Sequence, residues 1–146
     1  MSSSARALLR VSEPLHELGL IDTSVVIDLE RVYRAVLPAE LAISAVSLTE
    51  LAAGPHATAD PLERARRQDV LQRAEATFEP IPLDGSVARA YGRIYAAVRV
   101  LGRDARGRRA FDLLIAATAL TFALPLYTRN PDDFRGLDEL IDVVVV

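Results

Sequence analysis

In a chain of 146 residues with few other reactive groups, four carboxylates stand where chemistry could be done: Asp22, Glu50, Asp112 and Asp133. Asp22 follows the apolar run 18–21. Glu50 follows a second run, 41–44, within Ser47-Leu48-Thr49-Glu50. Asp112 opens the apolar stretch 110–122, and Asp133 comes after a further run, 124–128. In a parallel α/β sheet the strand ends and the helix starts that follow them share one rim. The stretch that carries Asp112 leads into a strand, so its start reaches that rim only if the loop before it delivers it there. Carboxylates gathered in this way raise one another's pKa unless a cation holds them. Oxygen donors without Cys or a nearby His favour Mg²⁺ or Mn²⁺. Such an ion activates water and steadies a leaving oxygen, which is the chemistry of phosphodiester hydrolysis.

Each acid also has a folding role open to it. Asp22 can cap a helix that starts near Ser24, and Glu50 can complete a capping box with Ser47. Asp133 can be a turn acid, a role its neighbour Asp132 can share. Asp112 is harder to assign to folding, because Phe111, Leu113, Leu114, Ile115, Ala116 and Ala117 around it are apolar. A buried charge there costs several kcal/mol unless it is paired or bound to a cation. A helix N-terminus offsets only about 0.3–1 kcal/mol of that.

The composition removes most other chemistries. Cysteine is absent, so disulfides, thiolate metal sites and cysteine nucleophiles are excluded. All 17 basic residues are arginine, which excludes a Walker lysine or a Schiff base. The two histidines, His16 and His56, lie too far apart for a zinc-hydrolase spacing. The formal net charge is −3, yet seven arginines against the single acid Asp104 fall between Arg89 and Arg109. Arginine's planar fork suits phosphate oxygens, so Arg103, Arg106, Arg108 and Arg109 are candidate contacts for a phosphate backbone, binding polyanions in a salt-dependent way. A solvated helix face is the plainer reading of the same cluster. No apolar stretch reaches the ~20 residues a membrane span needs, and no export signal is visible, which points to the cytoplasm.

The elements that must position the acids alternate. Strands are expected at 18–21, 41–44, 78–83, 124–128 and 141–146, with Pro80 and Pro82 suggesting an edge strand. Between them, helices are expected from Ser24 toward Pro38, from Ser47 to Gly54, from Asp60 to about Thr77, from Ser86 to about Leu101, and from Ala110 to Phe122. Alternation of this kind predicts a three-layer α/β/α domain with a central, mainly parallel five-stranded sheet. Residues 1–17 form an N-terminal extension, flexible or a short helix, ahead of a single domain at 18–146.

These motifs together resemble PIN-domain proteins, and within them the VapC toxins of bacterial toxin–antitoxin pairs. The resemblance rests on Ile21-Asp22-Thr23-Ser24, on Ser47 through Leu51, on Phe111 through Ala119 (FDLLIAATA), and on Thr128 through Phe134 (TRNPDDF), in that order. It implies a metal-dependent endoribonuclease with Asp22, Glu50, Asp112 and Asp133 as its acidic quartet and Mg²⁺ or Mn²⁺ as cofactor. Ser24, Thr128 and Asn130 match the polar positions that support the acids. The resemblance further implies a homodimer, and a VapB-type antitoxin whose C-terminal segment fills a groove beside the site, with Val25, Val26, Leu29 and Tyr33 as contacts for it or as core. Such proteins usually begin at the first strand, so the 17-residue lead is a departure.

Two other readings compete. A haloacid-dehalogenase-like phosphatase needs a second aspartate where Ser24 stands, and a lysine the chain lacks. A catalytically silent PIN-fold module would bind RNA or a partner without cutting.

Overall fold

The computed structural model describes residues 14–103 and 107–146, with Arg108 described through its backbone alone. Four strands are present among these residues: β1 (Leu18–Ile21), β2 (Glu40–Ala42), β3 (Leu126–Thr128) and β4 (Val143–Val145). They lie in the order β2-β1-β3-β4, and all three pairings are parallel. Five α-helices join or flank them: α1 (Thr23–Ile27), α2 (Ala45–Ala53), α3 (Pro61–Thr77), α4 (Gly85–Val100) and α5 (Arg108–Phe122).

A parallel sheet needs both faces covered, and the alternation of side chains along β1 and β3 shows how. Leu20 and Leu126 pair in register and point into a core built with Val87, Ile94, Val98 and Leu113 from α4 and α5. Ile21 and Tyr127, the next pair, point into the other core, with Val25, Leu51 and Ala74 from α1, α2 and α3. The central strands are therefore apolar on both sides and buried along nearly their whole length, Leu18 at the start of β1 being the exception. Gly19 follows from the same packing. A Cβ there would stand 2.8 Å from Tyr127 Cε1 and 2.9 Å from Pro38 Cγ, because the tyrosine ring lies across β1.

The expected fifth strand, 78–83, is reduced to a single parallel bridge between Ile81 and Ser44. Pro80 and Pro82 flank Ile81 and have no N–H to donate, so the ladder stops where it starts. The first helix is also shorter than expected. It ends at Ile27, and 3-10 turns at Leu29–Arg31 and Arg34–Val36 carry the chain to Pro38. Val25, Val26 and Ile27 form a β-branched run with poor helix propensity. Val32 and Tyr33 then adopt extended backbone angles that no helix tolerates.

At α2 the cap is Ser44, whose hydroxyl accepts from Val46 N at 3.0 Å. Ser47 therefore lies inside the helix, and no capping box forms with Glu50. Helix α3 starts as expected, with Asp60 accepting from Leu62 N at 3.1 Å. Helix α5 begins two residues before Ala110, which moves Asp112 beyond the first turn.

Of the N-terminal extension, residues 1–13 lie outside the described residues. Residues 14–17 form no helix. They are stitched to the start of β2, since Ala39 N donates to His16 O at 3.1 Å and Glu40 N to Glu17 O at 2.7 Å. The His16 imidazole stands 3.3 Å from the Asp142 carboxylate. Among the described residues, no helix is long and apolar enough to cross a membrane.

Gly19→Ala should lower stability by about 1–3 kcal/mol, the usual cost of overfilling a packed site. A denaturant melt reads this, and an unchanged midpoint would mean that the Tyr127 ring can move aside.

Candidate active site

Asp22 extends the β1–β3 pairing by one hydrogen bond, its N–H donating to Tyr127 O at 3.0 Å, and the chain then turns into α1. Its carboxylate caps that helix, accepting from Val25 N at 3.1 Å. Two hydroxyls complete its shell: Ser24 donates to Oδ1 at 2.6 Å and Thr128 donates to Oδ2 at 2.5 Å. Both hydroxyls are held in turn, since Arg129 N donates to Ser24 Oγ at 3.1 Å and Asn130 N to Thr128 Oγ1 at 2.9 Å. Asn130 thus acts here through its backbone. Asp22 is 4% exposed, and burial pushes its pKa up against these hydrogen bonds, with the charge of Asp133 adding to the rise.

Glu50 reaches the same rim from the second turn of α2. Thr23 Oγ1 donates to Glu50 Oε1 at 2.7 Å and lies 3.0 Å from Ser47 Oγ. Sequence reasoning assigns no role to Thr23 and gives Ser47 to helix capping. The signal available was a small hydroxyl residue beside each acid, Thr23 next to Asp22 and Ser47 one turn before Glu50.

Asp112 projects from α5, half-buried. Its pKa is raised to about 7, first by burial and then by the charges of Asp133, Glu50 and Asp22, with Arg109 pulling the other way. Three carboxylates from separate elements are thus close enough to interact with Asp112, so the start of α5 does stand at the strand-end rim. Asp133 sits in a 3-10 turn, Pro131–Phe134, that follows β3 and is anchored by the buried Phe134. Its neighbour Asp132 has a side chain 88% exposed, 3.7 Å from Arg135.

Among the described residues, no three His, Asp or Glu side chains converge tightly enough to hold one ion as they stand. The donor chemistry still fits Mg²⁺ or Mn²⁺. Every candidate ligand is oxygen, the acids repel one another, and Mg²⁺ commonly keeps several waters while taking one or two carboxylates directly.

The arginines divide. Arg109 stands close enough to Asp112 to oppose its rise in pKa. Arg103 lies across the turn after β3, donating to the carbonyls of Asp132 at 2.9 Å and Arg135 at 3.1 Å. Arg106 and the side chain of Arg108 lie outside the described residues. Val25 and Val26 of α1 are buried core, whereas Tyr33, between the two 3-10 turns, is 83% exposed. A groove of about 640 Å³ opens beside Thr23 and Glu50, bounded by Ile27, Leu51, Arg67 and Val70.

Comparison with known proteins agrees with the fold. Residues 19–140 match the PIN domain family. The chain is 36% identical over 131 residues to ribonuclease VapC5 of Mycobacterium tuberculosis, covering 88% of this chain and 93% of that protein. It is 31% identical over 128 residues to ribonuclease VapC of Rickettsia bellii, covering 84% and 93% respectively. A crystal structure of VapBC-5 from M. tuberculosis, described as a member of the VapBC family of toxin–antitoxin systems, superposes with a TM-score of 0.73. That pair shares 34% identity over 89% of this chain and 98% of that one. The chain belongs to the PIN-domain family, and within that family it is of the VapC type.

The raised pKa of Asp112 has a signed consequence for stability. An unfolded carboxyl releases its proton near 3.8, and the folded one holds it to about 7. Metal-free protein therefore loses stability as pH rises through that window and levels off above it. Asp112→Asn should melt higher than wild type, by a margin that widens from pH 4 to pH 7. A margin independent of pH would show that Asp112 is already compensated.

Proposed function

We propose that this protein is a Mg²⁺- or Mn²⁺-dependent endoribonuclease acting in the cytoplasm, the toxin half of a type II toxin–antitoxin pair. The observation that carries the reading is the gathering of Asp22, Glu50, Asp112 and Asp133 at one rim, where burial and then their mutual repulsion lift the pKa of Asp112 to about 7. Folding gains nothing from it. A divalent cation held there would relieve it and would supply a water of lowered pKa and charge to balance the leaving oxygen. All four acids would hold that cation, directly or through its waters.

The chain's own residues supply orientation. Ser24 and Thr128 fix the two oxygens of Asp22, and Thr23 fixes one oxygen of Glu50. A carboxylate that cannot rotate spends no further entropy when cation and substrate arrive. Arg109, which lies near Asp112, would meet the phosphate backbone of RNA, with Arg106 and Arg108 before it in the chain. Contacts of this type carry no base code, so the choice of target lies elsewhere in the groove or in the RNA's shape.

Named relatives and their complexes support the pairing with an antitoxin of the VapB type. Its C-terminal segment is assigned to the groove beside Glu50, which continues into a smaller hollow of about 190 Å³ lined by Val26, Leu29, Val70, Ala74 and Phe78. Leu29 and Val26 are shared between this hollow and the core, so the α1 face serves both. A homodimer is part of the same reading, and exposed Tyr95, Val100 and Phe111 on α4 and α5 offer apolar surface for a second copy.

Asp22→Asn should lower metal-dependent RNA cleavage by more than about a hundredfold, the upper end of what is lost when a group behind a metal ligand is removed. Gel analysis of end-labelled RNA reads this, and cleavage at the wild-type rate would defeat the quartet. RNA bound as before but never cut by wild type, with either metal, would favour a silent binding module. Neutralising Arg106, Arg108 and Arg109 together should weaken RNA binding and reduce the slope of log affinity against log salt by about 0.7 for each phosphate no longer neutralised. Equal affinity at two salt concentrations would remove these arginines from the interface.

A further inference from the structure

We propose that Arg103 is a positioning residue for Asp133, clamping the turn that presents this acid, rather than a contact for RNA. The inference rests on the ribonuclease reading above. Arg103 follows α4 in sequence, yet its guanidinium crosses to the turn after β3, where its two terminal nitrogens donate to different carbonyls. Nη2 reaches Asp132 O at 2.9 Å, and Nη1 reaches Arg135 O at 3.1 Å. Those carbonyls bracket Asp133 and Phe134, so one planar group spans the stretch that holds the acid. A fork with fixed donor directions suits two carbonyls at once, which an ammonium on a flexible stem does not.

The same turn is engaged from several sides. Phe134 is 1% exposed and anchors it to the core. Asp133 N donates to Asn130 O at 3.1 Å, tying the turn to the segment that supports Asp22. Beyond it, Gly136 adopts a φ of 91°, and a Cβ there would collide with the Leu101 side chain. Leu101 and Arg103 thus dock the end of α4 onto both sides of the turn. Burial and the repulsion of Arg109 and Arg135 work against the guanidinium in this position, and the charges of Asp132 and Asp133 favour it. Arg103 opens the connection that ends at α5. It therefore joins the approach to Asp112 with the support of Asp133.

The test compares Arg103→Ala and Arg103→Lys with wild type in single-turnover RNA cleavage, RNA binding at two salt concentrations without metal, and Mn²⁺ binding by calorimetry. A positioning role predicts a fall in kcat of about 10–100-fold in both variants, with a similar loss of Mn²⁺ affinity. RNA affinity and its salt slope should stay at wild-type values. Asp133→Asn should lose the same functions, and the Arg103→Ala change should cost little more in that background, because residues that act as a unit do not add. Should Arg103→Ala fail to fold, Arg103→Lys carries the same comparison. Weaker RNA binding with a shallower salt slope at unchanged kcat, restored by Lys, would make Arg103 an RNA contact and overturn the proposal. Full additivity with Asp133→Asn would overturn it as well. If wild type cleaves no RNA with either metal, the ribonuclease reading falls, and the Mn²⁺ measurement alone decides the role of Arg103. If wild type also binds no Mn²⁺, both readings fall.

Discussion

Crowding of like charge at the carboxyl edge of β1 and β3 governs much of this molecule. A carboxylate is comfortable in water and uncomfortable beside another carboxylate in a partly buried setting. Here Asp22 is nearly inaccessible, and Asp112 feels the charges of three other acids. The fold tolerates this because the rest of it is conventional: a parallel sheet with apolar side chains on both faces and helices packed over each. Stability gathered in the two cores leaves room for a destabilising rim, a trade expected where a site must be ready for a ligand before the ligand arrives.

The supports of the site show how much of the structure serves that rim. Asp22 is held through Ser24 and Thr128, and each hydroxyl is fixed by a backbone N–H from the segment after β3. Glu50 is held through Thr23, the residue that follows Asp22. Asp133 is presented by a turn pinned by Phe134 on one side and by Arg103 on another. The supports are therefore interleaved. The segment 22–24 touches three of the participating elements, and the segment 128–134 both orients one acid and supplies another.

Much of this was legible in the sequence, for identifiable reasons. Apolar runs with an acid directly behind them mark strand ends in an α/β domain, so Asp22 could be placed from periodicity. Asp133, five residues beyond β3, was set apart from Asp132 only by the family resemblance. The parallel, three-layer architecture followed from strands alternating with helices. What escaped was decided by tertiary packing or by single residues. Pro80 and Pro82 turned an expected strand into one bridge. Ser44 took the cap expected of Ser47, because the chain enters α2 one turn earlier than its apolar pattern suggests. Arg103 lies in a run of arginines and reads as one more surface cation. Only the structure shows that its guanidinium lies across the turn that follows β3. Hydroxyls such as Thr23 give only the weak signal of standing beside an acid, since a threonine's partner is set by which element faces it.

The attachment of residues 14–17 to the start of β2 has a consequence for the molecule's polarity. His16 and Glu17 bind at the end of the sheet where the strands begin, and His16 sits against Asp142 there, whereas the acids occupy the end where the strands finish. Pro14, the first described residue, therefore stands at the far pole from the acidic rim. A bulky passenger joined there would start its path a sheet's length away from the groove where RNA and an antitoxin would have to enter.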